Sequence, residues 1–271
     1  MRLLILFIMA GGIGAAVVLF KRHRRNTRRR LALQAPFPVE WNEILNANLP
    51  PYTKFSDDLR HQLQDKMKIF LAEKSFEGCD GLTVTDEMRV TIAAQACLLL
   101  LNRPSKNYPK LSSILIYPSA YMVKDGGRAP HNAKTTSVRL GESWSHGTVV
   151  LAWDSVKHGA RNFKDSRNVT MHEFAHQLDQ ADGRADGAPI LEERSAYSSW
   201  AAVFSKEFEK LQKGKRKRRS VLNRYGATNP AEFFAVATES FFEKPKQMRK
   251  KHPELYEELH DYYKVDPMEW T

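Results

Sequence analysis

One pair of histidines is spaced for a shared task. In Met171-His172-Glu173-Phe174-Ala175-His176-Gln177-Leu178-Asp179 they stand four residues apart, with a glutamate beside the first. On a helix, positions i and i+4 lie one turn apart on the same face. Both imidazoles can then approach one Zn2+ at about 2.0–2.1 Å. Glu173 would reach a water in the metal's open position, taking a proton as general base and returning it as general acid. The chemistry expected of this pattern is hydrolysis by a zinc-activated water.

Such a zinc needs a third protein ligand. No histidine follows His176 until His252, so a third histidine close behind the helix is excluded. Cys79 and Cys97 are the only cysteines and form no Cys-x-x-Cys, which excludes a cysteine-based site and fits a reducing compartment. The acids in play are Asp179, Asp182, Asp186, Glu192, Glu193, Glu232 and Glu239. Asp182 and Asp186 adjoin glycines and read as turn residues. Glu192 and Glu193 open a helix, where negative charge suits the dipole. Asp179 reads equally as an acceptor orienting a ligand histidine and as a turn-capping acid. Glu232, in Asn229-Pro230-Ala231-Glu232-Phe233-Phe234, matches a capping box, yet an acid in a first helical turn can also point into a site. Glu239 lies nearly two turns further on and shares that face. One is expected to bind the metal and the other to support it; the residues leave the order open.

These side chains need rigid carriers. Residues 168–180 read as a helix, with Val169, Phe174, Ala175 and Leu178 apolar, Asp165 or Ser166 as cap and Gly183 beyond the end. Residues 148–153 read as a strand just before it. Further helices are expected over 56–74, 86–101, 192–211, 229–242 and 253–263, strands over 111–117 and 135–140, and irregular structure over 41–51. The predicted class is α+β, mostly helical with a small sheet.

Net charge is +11, but Arg2 and the seven Lys/Arg of 21–30 carry eight of those charges. The remaining 241 residues are close to neutral at +3, so charge gives no argument for nucleic acid. The basic stretch 213–219 has no interleaved aromatic residue and reads as a solvated loop. Residues 3–20 form an uncharged apolar run of 18, just long enough to span a membrane. The charge follows that run rather than preceding it, which favours an anchor over a cleaved signal peptide and places the following domain in the cytoplasm. The expected organisation is a transmembrane anchor with basic flank over 1–30, a linker over 31–40 and a catalytic domain over 41–271.

The histidine stretch together with Tyr225-Gly226-Ala227-Thr228-Asn229-Pro230-Ala231-Glu232-Phe233-Phe234-Ala235-Val236 resembles the Mlc titration factor A family, bacterial zinc metallopeptidases of gluzincin type. The resemblance extends from about Trp41 to Pro267. It implies a zincin-like domain in which His172, His176 and Glu232 bind zinc, Glu173 is the catalytic acid and base, and Tyr225 lines the site. The catalytic domain of the bacterial lethal-factor toxin is similar in having a tyrosine seven residues before its ligand glutamate. The family further implies aminopeptidase-like activity on peptide substrates, a link to sugar uptake and, in some members, binding to a transcriptional repressor. A rival expectation is a module that sequesters a transcription factor, with zinc serving structure. The apolar run 3–20 departs from the soluble members of the family. It predicts a single-pass protein of the bacterial inner membrane.

Overall fold

The computed structural model describes residues 2–103, 107–124, 136–139, 141–144, 147–214 and 220–270; the side chains of 2–15, 17, 18, 121–124, 136–139 and 141–144 lie outside that description. His146 and most of the basic stretch 213–219 fall outside it too.

The first element, α1 (Arg2–Gln34), runs on well past the apolar stretch. Its C-terminal half packs on α3 (Asp57–Glu73), where Arg29 Nε and Nη2 donate to the two Glu73 oxygens at 2.5 and 3.1 Å. Lys68 of α3 donates to the carbonyls of Leu33 and Ala35, closing the end of α1. The expected membrane span over 3–20 is not supported: among the described residues no helix is long and apolar enough to cross a membrane, and most side chains of that run lie outside the description. Only four residues, 35–38, separate α1 from α2 (Val39–Asn48), a helix where irregular structure was expected. Its pattern is weak because it starts after Pro38 without a side-chain cap and buries only Leu45 and Asn48.

Helix α3 starts at Ser56, whose hydroxyl accepts the Leu59 N–H, and buries Leu63, Met67, Phe70 and Leu71 at helical spacing. After β1 (Ser75–Gly78), α4 (Asp86–Leu98) begins at the Thr85 cap and is buried along almost its whole length. Next come β2 (Ser113–Tyr117), the hairpin β3 (Tyr121–Lys124) and β4 (Thr136–Arg139), β5 (Gly141–Trp144) and β6 (Thr148–Ala152). The main sheet has the order β1-β2-β6-β5, with β1, β2 and β6 parallel and β5 antiparallel at the edge. Register places Leu115 opposite Val150 and Ile116 opposite Leu151.

The strand reading of Trp153 is corrected. The residue begins α5 (Trp153–Arg161), a helix that follows β6 directly and has no side-chain cap to mark its start. Then follow α6 (Val169–Asp179), α7 (Ala196–Lys213), α8 (Pro230–Glu243), α9 (Pro245–Lys251) and α10 (Pro253–Tyr263). The expected α+β class holds, with helices predominating. The core is aromatic where α7, α8 and α10 meet: Trp200 stacks on Phe204 at 3.9 Å between centroids, and Tyr263 stacks on Phe241 and bonds Thr238.

Candidate metal centre

Helix α6 divides its residues between two surroundings. Met171, Phe174, Ala175 and Leu178 recur at helical spacing and are buried in the core. There the Phe174 ring meets Tyr108 and Phe70 at 4.8 and 5.7 Å. Complete burial of such a ring contributes about 1.5–3 kcal/mol and fixes the helix's rotation. His172 and His176 are thereby turned together toward α8, their rings 4.9 Å apart.

Helix α8 supplies the acids. Asn229 caps it by accepting the Glu232 N–H at 2.9 Å, and Pro230 occupies the first helical position. Glu232 is thus part of a cap through its backbone, while its side chain goes elsewhere. Its Oε2 lies 2.9 Å from His172 Nε2 and 3.4 Å from His176 Nε2, and those two nitrogens are 3.2 Å apart. Glu239 reaches the other side of the same imidazole, with Oε1 2.7 Å from His172 Nδ1. Glu232 faces the convergent nitrogens and Glu239 stands behind one of them.

Tyr225 lies in a 3-10 turn, Arg224–Ala227, held by its Asn223 cap. Its hydroxyl donates to Glu232 Oε1 at 3.3 Å, and its ring is 5.9 Å from that of His172. Glu173 is buried on α6 beside His172. Asp179 accepts the Gly187 N–H at 3.1 Å and bonds neither histidine among the described residues, so it ties a loop rather than orienting a ring. Asp182 caps its own turn through the Arg184 N–H, and Asp186 through that of Ala188.

Electrostatics in this cluster favour positive charge beside the two carboxylates. Burial opposes charge on His172, but hydrogen bonds and charge from Glu232 and Glu239 outweigh it and raise its pKa well above the usual imidazole value. Burial likewise opposes charge on Glu232, but hydrogen bonds from both histidines hold its carboxyl well below the usual range. Nitrogen atoms from two imidazoles and one carboxylate oxygen lie within 4.8 Å of one another, so His172, His176 and Glu232 can hold a metal ion. Two imidazoles and a carboxylate suit a borderline divalent ion. Glu239 on Nδ1 would fix the His172 tautomer that leaves Nε2 to the metal.

Residues 21–264 match the Glucose-regulated metallo-peptidase M90 family. The chain belongs to that family. An uncharacterized protein of Synechocystis sp. is 40% identical over 252 residues, 91% of each chain. Mlc titration factor A of Klebsiella pneumoniae is 29% identical over 240 residues, covering 85% of this chain and 87% of the relative. The protein of that name from Yersinia pestis is 28% identical over 249 residues, 87% of each. Membership in a metallopeptidase family implies a metal, in agreement with the donor cluster.

Two residues of this M90 centre escape the sequence reading. Asn168, rather than Asp165 or Ser166, caps α6, its Oδ1 accepting the Met171 N–H at 3.0 Å. The signal was present, since Asn168 directly precedes the first apolar helical residue, Val169. Glu243 is buried at the end of α8 and bonds Ser166 and Asn168. Its only trace in the sequence is an acid four residues after Glu239 in a phenylalanine-rich helix.

Proposed function

We propose that this protein is a zinc metallopeptidase that hydrolyses peptide bonds, with aminopeptidase-like action on peptide substrates. The observation carrying the reading is the convergence of His172 Nε2, His176 Nε2 and Glu232 Oε2, with Glu239 behind His172. His172, His176 and Glu232 would hold the zinc. Bound there, it supplies a Lewis acid and lowers the pKa of a held water toward about 7. Glu173 takes the proton from the attacking water and delivers it to the leaving amine. Tyr225, exposed and hydroxyl-first toward Glu232, donates to the oxyanion that develops on the scissile carbonyl.

The test is Glu173→Gln. The variant should keep its fold and its zinc and lose about 10²–10⁴-fold in peptide turnover. Full turnover by the purified, zinc-loaded variant would sink the reading.

The name of the Klebsiella and Yersinia relatives favours a second reading, binding to an Mlc-type transcriptional repressor, with a role in sugar uptake. If this chain were only such a module with structural zinc, Glu173→Gln would leave repressor capture and every cellular effect unchanged. The apolar run 3–20 and its basic flank support one further proposal, a single-pass anchor in the bacterial inner membrane with the domain in the cytoplasm. Release of the full-length protein from membranes by salt washing alone would overturn it.

A further inference from the structure

Behind Glu239 lies a second buried carboxylate whose bonds do not involve the metal-facing atoms. Glu239 and Glu243 stand four residues apart on one face of α8, and both are buried. Glu239 uses Oε1 on His172 Nδ1 and Oε2 on the Asn168 N–H, at 2.7 Å each. The placement of the His172 ring thus depends on where the start of α6 sits. Glu243 holds that start from the other side: Oε2 accepts the Ser166 N–H at 2.7 Å, and Oε1 accepts from Asn168 Nδ2 at 3.1 Å. Asn168 Nδ2 also donates to the Gly159 carbonyl in α5. The approach is too close for a larger residue, since a Cβ on Gly159 would sit 3.0 Å from both Cα and Cγ of Asn168. Ser166 adopts a left-handed backbone, φ 57°, a conformation that a side chain resists and that the bond to Glu243 helps hold. Asn168 therefore joins α5, the start of α6 and both acids of α8.

We infer that Glu243 is a positioning residue for the metal centre: through Ser166 and Asn168 it fixes the first turn of α6, and so sets how Glu239 meets His172. Two carboxylates buried this close cannot both carry charge cheaply. Glu239 has an imidazole to face, whereas burial pushes the Glu243 carboxyl up to about 8, with the Glu239 charge adding to the shift. Near neutral pH Glu243 is largely the protonated partner; a glutamine matches its size and charge but can accept at only one of the two positions.

The inference rests on the zinc reading above, and the experiment separates the two. Zinc affinity is measured by chelator competition on the full chain, at a temperature where circular dichroism shows each metal-free variant folded. Glu243→Leu should weaken zinc binding about 10-fold, the lower end for residues that support a ligand. Glu243→Gln keeps one acceptor oxygen for the Ser166 or Asn168 donor, and should weaken zinc binding less than Glu243→Leu at pH 7. Asn168→Ser keeps a helix-capping hydroxyl but lacks the Nδ2 donor, and should weaken zinc to a similar extent as Glu243→Leu. It serves in place of Glu243→Leu should that variant not fold. Parent-like affinity in both disruptive variants overturns this inference alone. Equal losses in Glu243→Gln and Glu243→Leu mean a merely structural residue and overturn it too. A parent chain that binds no zinc overturns both this inference and the function proposed above.

Discussion

The two ends of α6 are held in different ways. At the first turn, Asn168 donates its N–H to Glu239 and its Nδ2 to Glu243, while its Oδ1 caps the helix. His172, one turn on, meets carboxylates at both ring nitrogens. At the last turn, Asp179 is fully buried but among the described residues has one bond, from the Gly187 N–H, and no partner there for its Oδ1. Among the described residues only the Nε2 of His176 meets polar partners. The first end is a cross-linked block of three helices. The second end is tied to a loop, and that loop presses on the start of α8 through Gly187 and Pro230. Tightness is thus concentrated on the imidazole that Glu239 supports, and the loop after α6 is what connects the other end to Glu232.

The largest test of this contrast compares the two acids facing His172. Glu232→Ala removes a ligand and should cost well over 100-fold in zinc affinity, whereas Glu239→Ala removes a support and should cost about 10–100-fold. Metal content and chelator competition read both. Zinc retained in Glu232→Ala and lost in Glu239→Ala would reverse their roles.

Next is Gly187→Ala, at the loosely held end. Gly187 has φ 77°, and an added Cβ would lie 2.4 Å from the Pro230 carbonyl oxygen. The substitution should destabilise the fold by about 1–3 kcal/mol and weaken zinc through the displaced start of α8. Unchanged denaturant unfolding would show that the loop is not tied to α8 as described.

Asn168→Ala probes the tight end as a cap. Loss of the Oδ1 bond to Met171 is worth about 1–2 kcal/mol, and urea unfolding should show at least that, since the Nδ2 bonds to Glu243 and the Gly159 carbonyl are lost with it. A loss of only a few tenths would mean that the capping bond contributes little there.

The smallest effect concerns Asp179. Burial pushes its carboxyl from 3.8 up to about 6, and the Gly187 N–H opposes the shift. Folding therefore favours the protonated acid. That contribution is complete below about pH 4 and is lost as pH rises through about 6. Asp179→Asn is neutral throughout and can still accept from Gly187. It should unfold at a higher temperature than the metal-free parent above pH 6 and converge with it below pH 4. Identical melting curves at pH 7.5 would contradict a strained, charged Asp179.

The features legible from residue order alone were local. His172 and His176 share a face because backbone hydrogen bonds set the helical repeat, whatever surrounds it. Ser56 and Asn229 announce helices because a side-chain oxygen satisfies N–H groups a turn away. The bounds of α10 were legible for another reason: it has no side-chain cap, but Pro253 stands at its first position, where a fixed φ suits a helix start. Helix α2 and the start of α5 were not: neither has a side-chain cap or a proline at its first position, and α5 follows β6 without a break. The family resemblance implied Glu232 as the ligand, but the physical cause of the division between Glu232 and Glu239 lies in the tertiary structure. Both share a face of one helix, and only the packing of α8 on α6 brings one to Nε2 and the other to Nδ1 of a ring 60 and 67 residues away in sequence. Glu243 follows the same logic: an acid in an apolar helix reads as misplaced until folding supplies the Ser166 and Asn168 donors that satisfy it.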